Sequence, residues 1–493
     1  MILKIMGHTF HYEMENLCRV FFPYEKIRVV YDENVKSDEK LNVVTILNKA
    51  GESADIIVEA SLFEVMDSRR FTVSICETDF MAECERKMAV ALFEILSGLT
   101  GYTPEWGILT GVRPSKLMTY LMNQLDNEIA GNYFNKKLLV NKEKTNLTIS
   151  VAEAEKRIIK KSRQDCFSLY VSIPFCPSRC SYCSFVSHSI ESISAKKLLP
   201  QYIENLCYEL IQIGKMTSAL GIKPQTIYFG GGTPTTLEKN DLVKICETIK
   251  MNFDLSFLQE YTVEAGRPDT ISQQKLYSLL NNGVQRISIN PQTFNDAVLH
   301  EVRRNHTAAA AIAAYELARK IGFKSINMDL IAGLPTDSLD SFRNTMDITA
   351  SLSPENITVH TLALKRSSSL ITQENTVLDD KSTSKMLRYT DLKLKENGYF
   401  PYYMYRQSRS LGNLENIGWS KPGFESIYNV FMMEECQTVL AAGAGAVTKL
   451  KENNGNHIER IFNFKYPYEY NMRFDEILSR KSRVITFFNE YNN

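Results

Sequence analysis

The sequence predicts an α/β protein whose central part is a partial (βα)6 barrel of the TIM type, with an α+β domain before it and a helical tail after it. The first observation is that strand-like and helix-like segments alternate through six units after about residue 164, a pattern typical of a parallel sheet. The second is that Gly221, Gly283, Gly322 and Gly398 each stand where a helix gives way to a strand. Glycine readily takes the left-handed conformation that ends a helix, so this recurrence favours a wound sheet.

The first strand-like run of the barrel is Leu169–Phe175, and a helical pattern near Leu199–Met216 follows it. The other five runs are Thr226–Phe229, Glu260–Ala265, Arg286–Asn290, Ser325–Ile331 and Asn356–Leu364. The loops after the strands of a parallel barrel meet at one face and carry its reactive groups. We therefore expect functional residues at the ends of these runs.

Three domains are predicted: an N-terminal α+β domain over residues 1–164, the barrel over 165–400 and a C-terminal extension over 401–493. The first has strand-like runs at Ile27–Tyr31, Asn42–Leu47, Ala54–Ala60 and Arg70–Glu77, then a helical pattern over Met81–Ser97. Its phrase GVRPSKL is a Gly/Pro loop that enters a helix. Arg113 and Lys116 there could hold an anion at the helix start, or the loop is a solvated turn with Pro at the first helical position.

The composition is that of an ordinary globular protein, with 44% apolar and 23% charged residues over 493 positions. Lys+Arg and Asp+Glu number 57 each, so no overall positive field would hold nucleic acid. The N-terminal residues lack the apolar core of a secretory signal, and no run approaches the length of a membrane span. With ten cysteines, these features predict a cytoplasmic protein with free thiols.

Three of the cysteines stand close together in CPSRCSYC, which places Cys176, Cys180 and Cys183 directly after the first barrel strand. Three thiolates on a [4Fe-4S] cluster leave one iron open for a reactant, as a catalytic zinc site keeps an open position. The alternative is a Cys3His zinc site closed by His188. Structural zinc motifs usually bring ligand pairs from two turns, which favours the cluster.

The other barrel strands also end in residues suited to a ligand. The run FGGGTPT lets the backbone come close to a ligand, with N–H groups free to bond it. It lacks the Lys of a P-loop and the dinucleotide fingerprint. Polar residues follow at Glu264, Gln292, Arg304 and Asp329, where an acid can hold hydroxyls or an ammonium group and an arginine can hold a carboxylate. Their common placement predicts one site.

Taken together, these motifs resemble the radical S-adenosylmethionine (SAM) enzymes of the oxygen-independent coproporphyrinogen III oxidase group. The resemblance rests on CxxxCxxC, GGGTPT, the strand-end glutamate, the Gln292 and Arg304 pair and NMDLIAGLP, from about Leu169 to Lys449. The N-terminal GVRPSKL is similar to that of HemZ-type coproporphyrinogen dehydrogenases.

The resemblance implies two cofactors, a [4Fe-4S] cluster on the three cysteines and SAM. By motif, the implied SAM contacts are Tyr170, Tyr182, Gly231, Gly232, Thr233, Glu264, Gln292, Arg304, Asp329, Ala363 and Val447. It further implies that a reduced flavodoxin- or ferredoxin-like donor supplies an electron. The 5′-deoxyadenosyl radical formed from SAM then abstracts a hydrogen atom from a propionate side chain of coproporphyrinogen III, or of a related tetrapyrrole. Loss of carbon dioxide and one electron leaves a vinyl group of protoporphyrinogen IX.

Other propionates could be gripped by arginines, for which the candidates are Arg113, Arg303, Arg366, Arg406 and Arg409. One departure from the family pattern is Phe185, where relatives that convert coproporphyrinogen III commonly have a fourth cysteine. The CxxCxF form is closer to that of haem chaperones. If this protein were a haem chaperone, His306 or His360 would be an axial ligand of the haem iron. However, the His-Asn haem motif of those chaperones is not reproduced around Tyr428. A haem-degrading radical enzyme is the third alternative.

Overall fold

The computed structural model describes residues 1–31, 39–74, 79–185, 188–364 and 380–491. The chain divides into two compact units, Met1–Ala152 with Tyr405–Glu415, and Glu153–Met404 with Asn416–Asn493. The segment Tyr405–Glu415 thus belongs to the first unit although it comes late in the sequence. The domain limits at residues 164 and 400 stay predictions.

The first unit is an α+β arrangement built on one sheet. Its elements are β1 (Ile2–Met6), α1 (His11–Phe21), β2 (Arg28–Val30), β3 (Leu41–Ala50), β4 (Ser53–Leu62), β5 (Val65–Ser74), α2 (Phe80–Thr100), α3 (Pro114–Gln124), α4 (Asn127–Asn132) and α5 (Lys142–Ile159), the last of which continues into the second unit. The sheet order is β2-β1-β3-β4-β5, with β1 parallel to β2 and β3 and the rest antiparallel. Alternate residues of β4 are buried, because one sheet face packs on α2 in a core that includes Ile56, Met88 and Leu92.

Most sequence predictions for this unit agree with the structure. The strand-like runs overlap β2, β3, β4 and β5, and the predicted helix lies within α2. The last part of the run Arg70–Glu77 lies outside the described residues. Pro114 occupies the first turn of α3, as the GVRPSKL phrase predicts. The pattern does not predict β1, because an apolar run of five residues is too short to separate strand from helix.

A buried polar group completes the first unit. The carboxylate of Glu415 is fully buried and accepts hydrogen bonds from the indole Nε1 of Trp106 at 2.7 Å and from the ammonium of Lys144 at 2.5 Å. Arg406 stacks over the Trp106 ring, and its guanidinium donates to the carbonyl oxygens of Leu109 and Gly111. The late segment is therefore part of the interior of this unit.

The second unit is built around a mainly parallel sheet. Its elements are β6 (Cys166–Ile173), β7 (Phe175–Cys176), β8 (His188–Ser189), α6 (Ile193–Leu220), β9 (Lys223–Gly231), α7 (Lys239–Asn252), β10 (Glu260–Glu264), α8 (Gln273–Asn281), β11 (Arg286–Ser288), α9 (Asp296–Glu301), α10 (Ala308–Ile321), β12 (Ser325–Ala332), α11 (Leu339–Leu352), β13 (Asn356–Thr361), α12 (Asp380–Glu396), β14 (Phe400–Arg406), β15 (Glu415–Ser420), α13 (Ile427–Glu434), β16 (Val439–Ala442), β17 (Val447–Lys451), β18 (Ile458–Phe462), α14 (Pro467–Met472), α15 (Phe474–Lys481) and α16 (Arg483–Tyr491).

Six strands of this unit, β6, β9, β10, β11, β12 and β13, pair in that order and run parallel. This confirms the partial (βα)6 barrel. Nearly every residue of β6 is buried, as expected of a parallel strand covered on both faces. The four glycines predicted to end helices all have positive φ, for example 68° at Gly221 and 112° at Gly322. The carboxyl ends of the six strands define the face that carries the candidate site.

The sheet continues beyond the six strands on both sides. β16 runs parallel beside β6, and antiparallel β17 and β18 follow it. On the other side, β15 pairs antiparallel with β13. The predicted helical tail is present as α14, α15 and α16, but the C-terminal extension also contains strands, which its sequence pattern does not predict. Within the described residues, none of the helices combines the length and apolar character that crossing a membrane requires.

A buried ion pair fastens the C-terminal helices to the barrel. Glu209 on α6 and Lys481 on α15 approach to 3.2 Å, with side chains 0% and 3% exposed. The Glu209 carboxylate also accepts hydrogen bonds from the Gly443 backbone N–H at 2.9 Å, the Asn463 amide at 2.8 Å and the Tyr470 hydroxyl at 2.7 Å. Buried charges are tolerated when paired and hydrogen-bonded, so this network fixes the turn that follows β16.

Candidate active site

The three predicted cluster ligands lie on one loop after β6. Cys176 ends β7, which pairs with β8, and its carbonyl oxygen accepts a hydrogen bond from the N–H of Ile190 at 2.9 Å. The N–H of Cys183 bonds the carbonyl of Cys180 at 3.2 Å. All three cysteine side chains are partly exposed. The backbone thus holds the loop in a compact form at the carboxyl end of the barrel.

Positive charge surrounds the middle cysteine. One guanidinium nitrogen of Arg267 and one of Arg304 each lie 3.9 Å from the sulfur of Cys180. The hydroxyl of Thr233 lies 3.5 Å from the sulfur of Cys176. Donors at these distances stabilise a thiolate or a negatively charged cluster. Burial is the main cause that raises the pKa of Cys183 to about 11, so this thiol needs a metal to lose its proton at neutral pH.

The donor set fits an iron-sulfur cluster better than a zinc ion. Each thiolate of a cubic cluster binds a different iron, so the three sulfurs need not converge on one point. In the described part of the chain, no three His, Cys, Asp or Glu side chains are arranged to hold a single ion. The ring of His188, the fourth ligand of the zinc alternative, faces the ring of Tyr466 at 6.5 Å.

The glycine run at the end of β9 packs tightly against the cysteine loop. The N–H of Gly232 donates to the carbonyl of Ile173, and the N–H of Thr233 donates to that of Phe175, both at 2.8 Å. A Cβ on Gly232 would lie 2.5 Å from the Phe175 oxygen, and Gly231 has a φ of +107°. The expectation that these N–H groups are free for a ligand is therefore wrong for Gly232 and Thr233. The glycines permit close approach of two backbone segments.

Two carboxylates lie on β10 and β12, the strands on either side of β11, and their pKa values are shifted in opposite directions. The prediction that Asp329 ends its strand is wrong, because Asp329 lies inside β12. Glu264 ends β10 and accepts a hydrogen bond from the Tyr228 hydroxyl at 2.6 Å. Burial raises the pKa of Glu264 to about 7; the Tyr228 hydrogen bond opposes this rise, and the charge of Asp329 adds to it. Burial also acts to raise the pKa of Asp329 on β12, but hydrogen bonds from His360 and Asn327 outweigh it, so this pKa is lowered. The environment thus favours the ionised form of Asp329 and shifts the titration of Glu264 towards neutral pH.

Gln292 follows β11 and is hydrogen-bonded through its backbone to β12 beside Asp329. Its N–H donates to the Asp329 carbonyl at 2.9 Å, and its carbonyl accepts from Ile331 at 3.0 Å. The residue has a φ of +68° and is 8% exposed. Its side-chain oxygen is buried without a hydrogen-bond partner in the described residues. A strained backbone that presents a buried unpaired amide oxygen is a feature of ligand sites.

Arg304 is a structural centre of the site as well as a predicted contact. Its guanidinium donates to the Tyr182 hydroxyl at 2.9 Å, the Gly266 carbonyl at 2.6 Å and the Asn290 carbonyl at 2.7 Å. Its Nε is buried without a partner among the described residues. Because most of the donors are engaged, a bidentate grip on a ligand carboxylate would require rearrangement. Arg304 instead ties the cysteine loop to two strand ends.

The remaining predicted contacts lie at the rim. Ala363 follows the carboxyl end of β13 and is partly buried, and Val447 opens β17 opposite Phe462. Among the described residues, no hydrogen bond or ion pair identifies a role for either side chain. Among the arginine candidates for propionates, Arg406 is engaged with backbone carbonyls in the first unit, and Arg366 lies outside the described residues.

Sequence reasoning missed a stack of three tyrosines beside Glu264. The rings of Tyr170, Tyr228 and Tyr428 are nearly parallel, with centroids 4.5 Å apart for Tyr228 and Tyr428 and 6.3 Å for Tyr170 and Tyr228. Tyr170 and Tyr228 are direct partners in the register of β6 and β9, so a strand alignment could have found them. Tyr428 arrives on α13, and no local signal connects it to the barrel.

The fold and the site together define a radical SAM protein. The chain matches the family model of the radical SAM superfamily over residues 170–348. The structure of coproporphyrinogen III oxidase (HemN) from Escherichia coli, a radical SAM enzyme, is similar with a TM-score of 0.51 at 24% identity, over 66% of this chain and 72% of that one, which supports the fold.

Within this superfamily, the chain belongs to the family of the oxygen-independent coproporphyrinogen-III oxidase-like protein HemZ of Bacillus subtilis (strain 168). The two are 34% identical over 98% of this chain and 98% of that protein. The chain is also 32% identical to the heme chaperone HemW of the same organism, over 57% of this chain and 70% of HemW.

The cofactors of the superfamily, a [4Fe-4S] cluster and SAM, are those of this chain. The residues present fit them, since three thiols, flanking guanidinium groups and an amide oxygen that is buried without a partner in the described residues lie at one face. When bound, the cluster and SAM supply the one-electron chemistry that activates an unreactive C–H bond. The protein orients the reactants and limits water, because Arg304 and Gln292 are buried and Glu264 is partly buried.

Proposed function

We propose that this protein catalyses the oxygen-independent oxidative decarboxylation of coproporphyrinogen III to protoporphyrinogen IX. The observation that carries the proposal is the similarity to the HemZ protein over the whole chain, including the N-terminal unit, whereas the match to HemW covers 57% of the chain. A cytoplasmic location and a flavodoxin- or ferredoxin-like electron donor are parts of the same proposal.

In this proposal, Cys176, Cys180 and Cys183 hold the cluster. Glu264, Gln292 and Asp329 bind SAM through its hydroxyl and ammonium groups, which suit carboxylate and amide oxygens. Their placement on adjoining strands supports a shared ligand, since Gln292 hydrogen-bonds along β12 next to Asp329.

The glycine run and the other predicted contacts are proposed to contribute less to SAM binding than Glu264, Gln292 and Asp329. Gly231, Gly232 and Thr233 form part of the wall of the SAM site. The N–H groups of Gly232 and Thr233 already donate to backbone carbonyls, so they do not bind SAM. Tyr170 belongs to the tyrosine stack, and Tyr182 to the hydrogen bonds of Arg304. Ala363 and Val447 are proposed as rim contacts.

The test is an anaerobic assay of the reconstituted protein with dithionite, SAM and coproporphyrinogen III. We expect 5′-deoxyadenosine and carbon dioxide to appear together, and both to vanish in Cys180→Ala. Cys246→Ala is the matched control, because it removes a buried thiol outside the loop and should retain activity. Formation of 5′-deoxyadenosine without carbon dioxide would refute the assigned substrate and leave the cluster assignment standing.

A haem chaperone is the second candidate, and one residue favours it. His306 is 7% exposed, and neither ring nitrogen makes a well-formed hydrogen bond among the described residues. Burial, aided by the charges of Arg304 and Arg267, lowers its pKa to about 3, so the ring is neutral and able to ligate iron. Titration with haem should then give a Soret shift that His306→Ala abolishes and His360→Ala does not. A titration without a shift would remove this candidate.

A further inference from the structure

The surface beside the cysteine loop carries a group of exposed apolar side chains, which we call the cluster-side surface. Its members and their exposed fractions are Phe185 (63%), Ile193 (76%), Tyr466 (37%), Tyr468 (44%) and Met472 (82%). Soluble proteins seldom expose several large apolar groups together unless the patch binds a partner.

Three segments bring these side chains together next to the thiols. The pairing of β7 with β8 places Ser189 opposite Cys176, and α6 begins four residues after Ser189. The ring of His188 lies 6.5 Å from that of Tyr466, and Tyr466 stacks on Tyr468 at 5.6 Å. The N-terminal part of α6 is joined to α14 by a hydrogen bond from the Asn471 amide to the Leu198 carbonyl at 3.1 Å. The surface therefore lies next to the cysteine loop, and Phe185 follows Cys183 by two residues in the sequence.

Positive charge surrounds the apolar group. Over residues 177–185, 188–198 and 464–472, the cations are Arg179, Lys196, Lys197 and Lys465, and the carboxylates are Glu191 and Glu469. All four cations are exposed. The chain as a whole has equal numbers of positive and negative side chains, so this local excess of two positive charges is a feature of the surface. A basic rim around apolar anchors is complementary to an acidic partner.

We propose that the cluster-side surface docks a small acidic one-electron carrier protein of the flavodoxin or ferredoxin type. One electron leaves the reduced cofactor of the carrier and enters the cluster, and no bond forms or breaks. Such electron-transfer encounters bury little area and depend on electrostatic steering, which five apolar side chains and four cations can provide. The inference rests on the proposed function only through the need of the cluster for an electron.

The test compares two double charge reversals of equal size. Lys196→Glu with Lys197→Glu alters the rim, whereas Lys215→Glu with Lys250→Glu alters exposed lysines elsewhere on the same unit. Lys215 is on α6 as well, about 28 Å along the helix from Lys196 at 1.5 Å per residue. The readout is the stopped-flow bleaching of cluster absorbance after mixing with flavodoxin hydroquinone.

At 0.05 M salt we expect the rim variant to be reduced about tenfold more slowly than the wild type, and the control variant to stay within about twofold. The difference should shrink at 0.5 M salt, where charges are screened over a few ångströms. Dithionite, a small reductant that needs no docking, should reduce all variants equally and shows that the cluster is intact. A parallel series with a reduced ferredoxin distinguishes the two types of carrier.

Met472→Ser tests the apolar part without a change of charge. It should slow reduction by flavodoxin at both salt concentrations. Equal rates for the rim variant, the control and the wild type would overturn the proposal, and so would a slowing that salt does not relieve. Reduction is measured without tetrapyrrole, so normal reduction with no carbon dioxide later would refute the substrate alone.

Discussion

Binding of SAM should depend on pH through Glu264. Burial is the main cause that raises the pKa of this carboxyl to about 7, and the positively charged SAM prefers the ionised form. The apparent Kd then scales as one plus the ratio of protonated to ionised Glu264. That ratio is about 10 at pH 6 and about 0.1 at pH 8. The apparent Kd should therefore fall about tenfold between these two pH values.

Two substitutions should move the midpoint of this pH dependence in opposite directions. Tyr228→Phe removes a hydrogen bond that lowers the pKa of Glu264, so the midpoint should rise. Asp329→Asn removes a charge that raises the same pKa, so the midpoint should fall. Glu264→Gln is the control, because any pH dependence it retains belongs to other groups, including SAM itself.

The measurement is equilibrium dialysis of radiolabelled SAM against the anaerobically reconstituted protein from pH 5.5 to 8.5. Both midpoints are read independently of absolute affinity, so a general weakening of binding does not mimic the result. A wild-type curve identical to that of Glu264→Gln, or two variants whose midpoints move the same way, would refute the reasoning.

The other predictions concern the elements that support the site. Lys481→Met should lower the free energy of unfolding by about 3 to 5 kcal/mol, because it leaves Glu209 buried without its counter-charge. Arg473→Met, at an exposed ion pair, should change it little, and equal urea midpoints for the two variants would contradict the role of the buried pair. Gly232→Ala should lower the iron content after reconstitution, because its Cβ has no space beside the cysteine loop. Gly98→Ala, where the space is open, should retain iron, and full iron in both variants would count against this packing argument.

The features predictable from the sequence are those with local or periodic signals. The alternation of strands and helices predicts the six parallel strands, and the spacing of Cys176, Cys180 and Cys183 predicts one loop at their carboxyl ends. Glu264 is found at a strand end because the hydrophobic run of β10 stops there, whereas Asp329 lies inside β12. In each case the signal lies within a few residues of the feature.

Features that depend on distant pairs escape this kind of reasoning. Tyr428 completes the tyrosine stack from α13, although it is 200 residues after Tyr228 in the sequence and no local pattern connects the two. The partner of Glu209 is likewise distant, since it is Lys481 on α15. The different pKa values of Glu264 and Asp329 depend on hydrogen bonds from Tyr228 and His360, which only the packed sheet brings near.

The position of Glu415 has a consequence for synthesis of the chain on the ribosome. Trp106 and Lys144 emerge early, but the carboxylate that pairs with them is made roughly 260 residues after Ala152. At the usual 5 to 20 residues per second, the delay is roughly 13 to 50 s. During that time the N-terminal unit lacks its buried acid. We expect nascent chains that stop before this glutamate to be substrates for chaperones and proteases, while the completed protein is not.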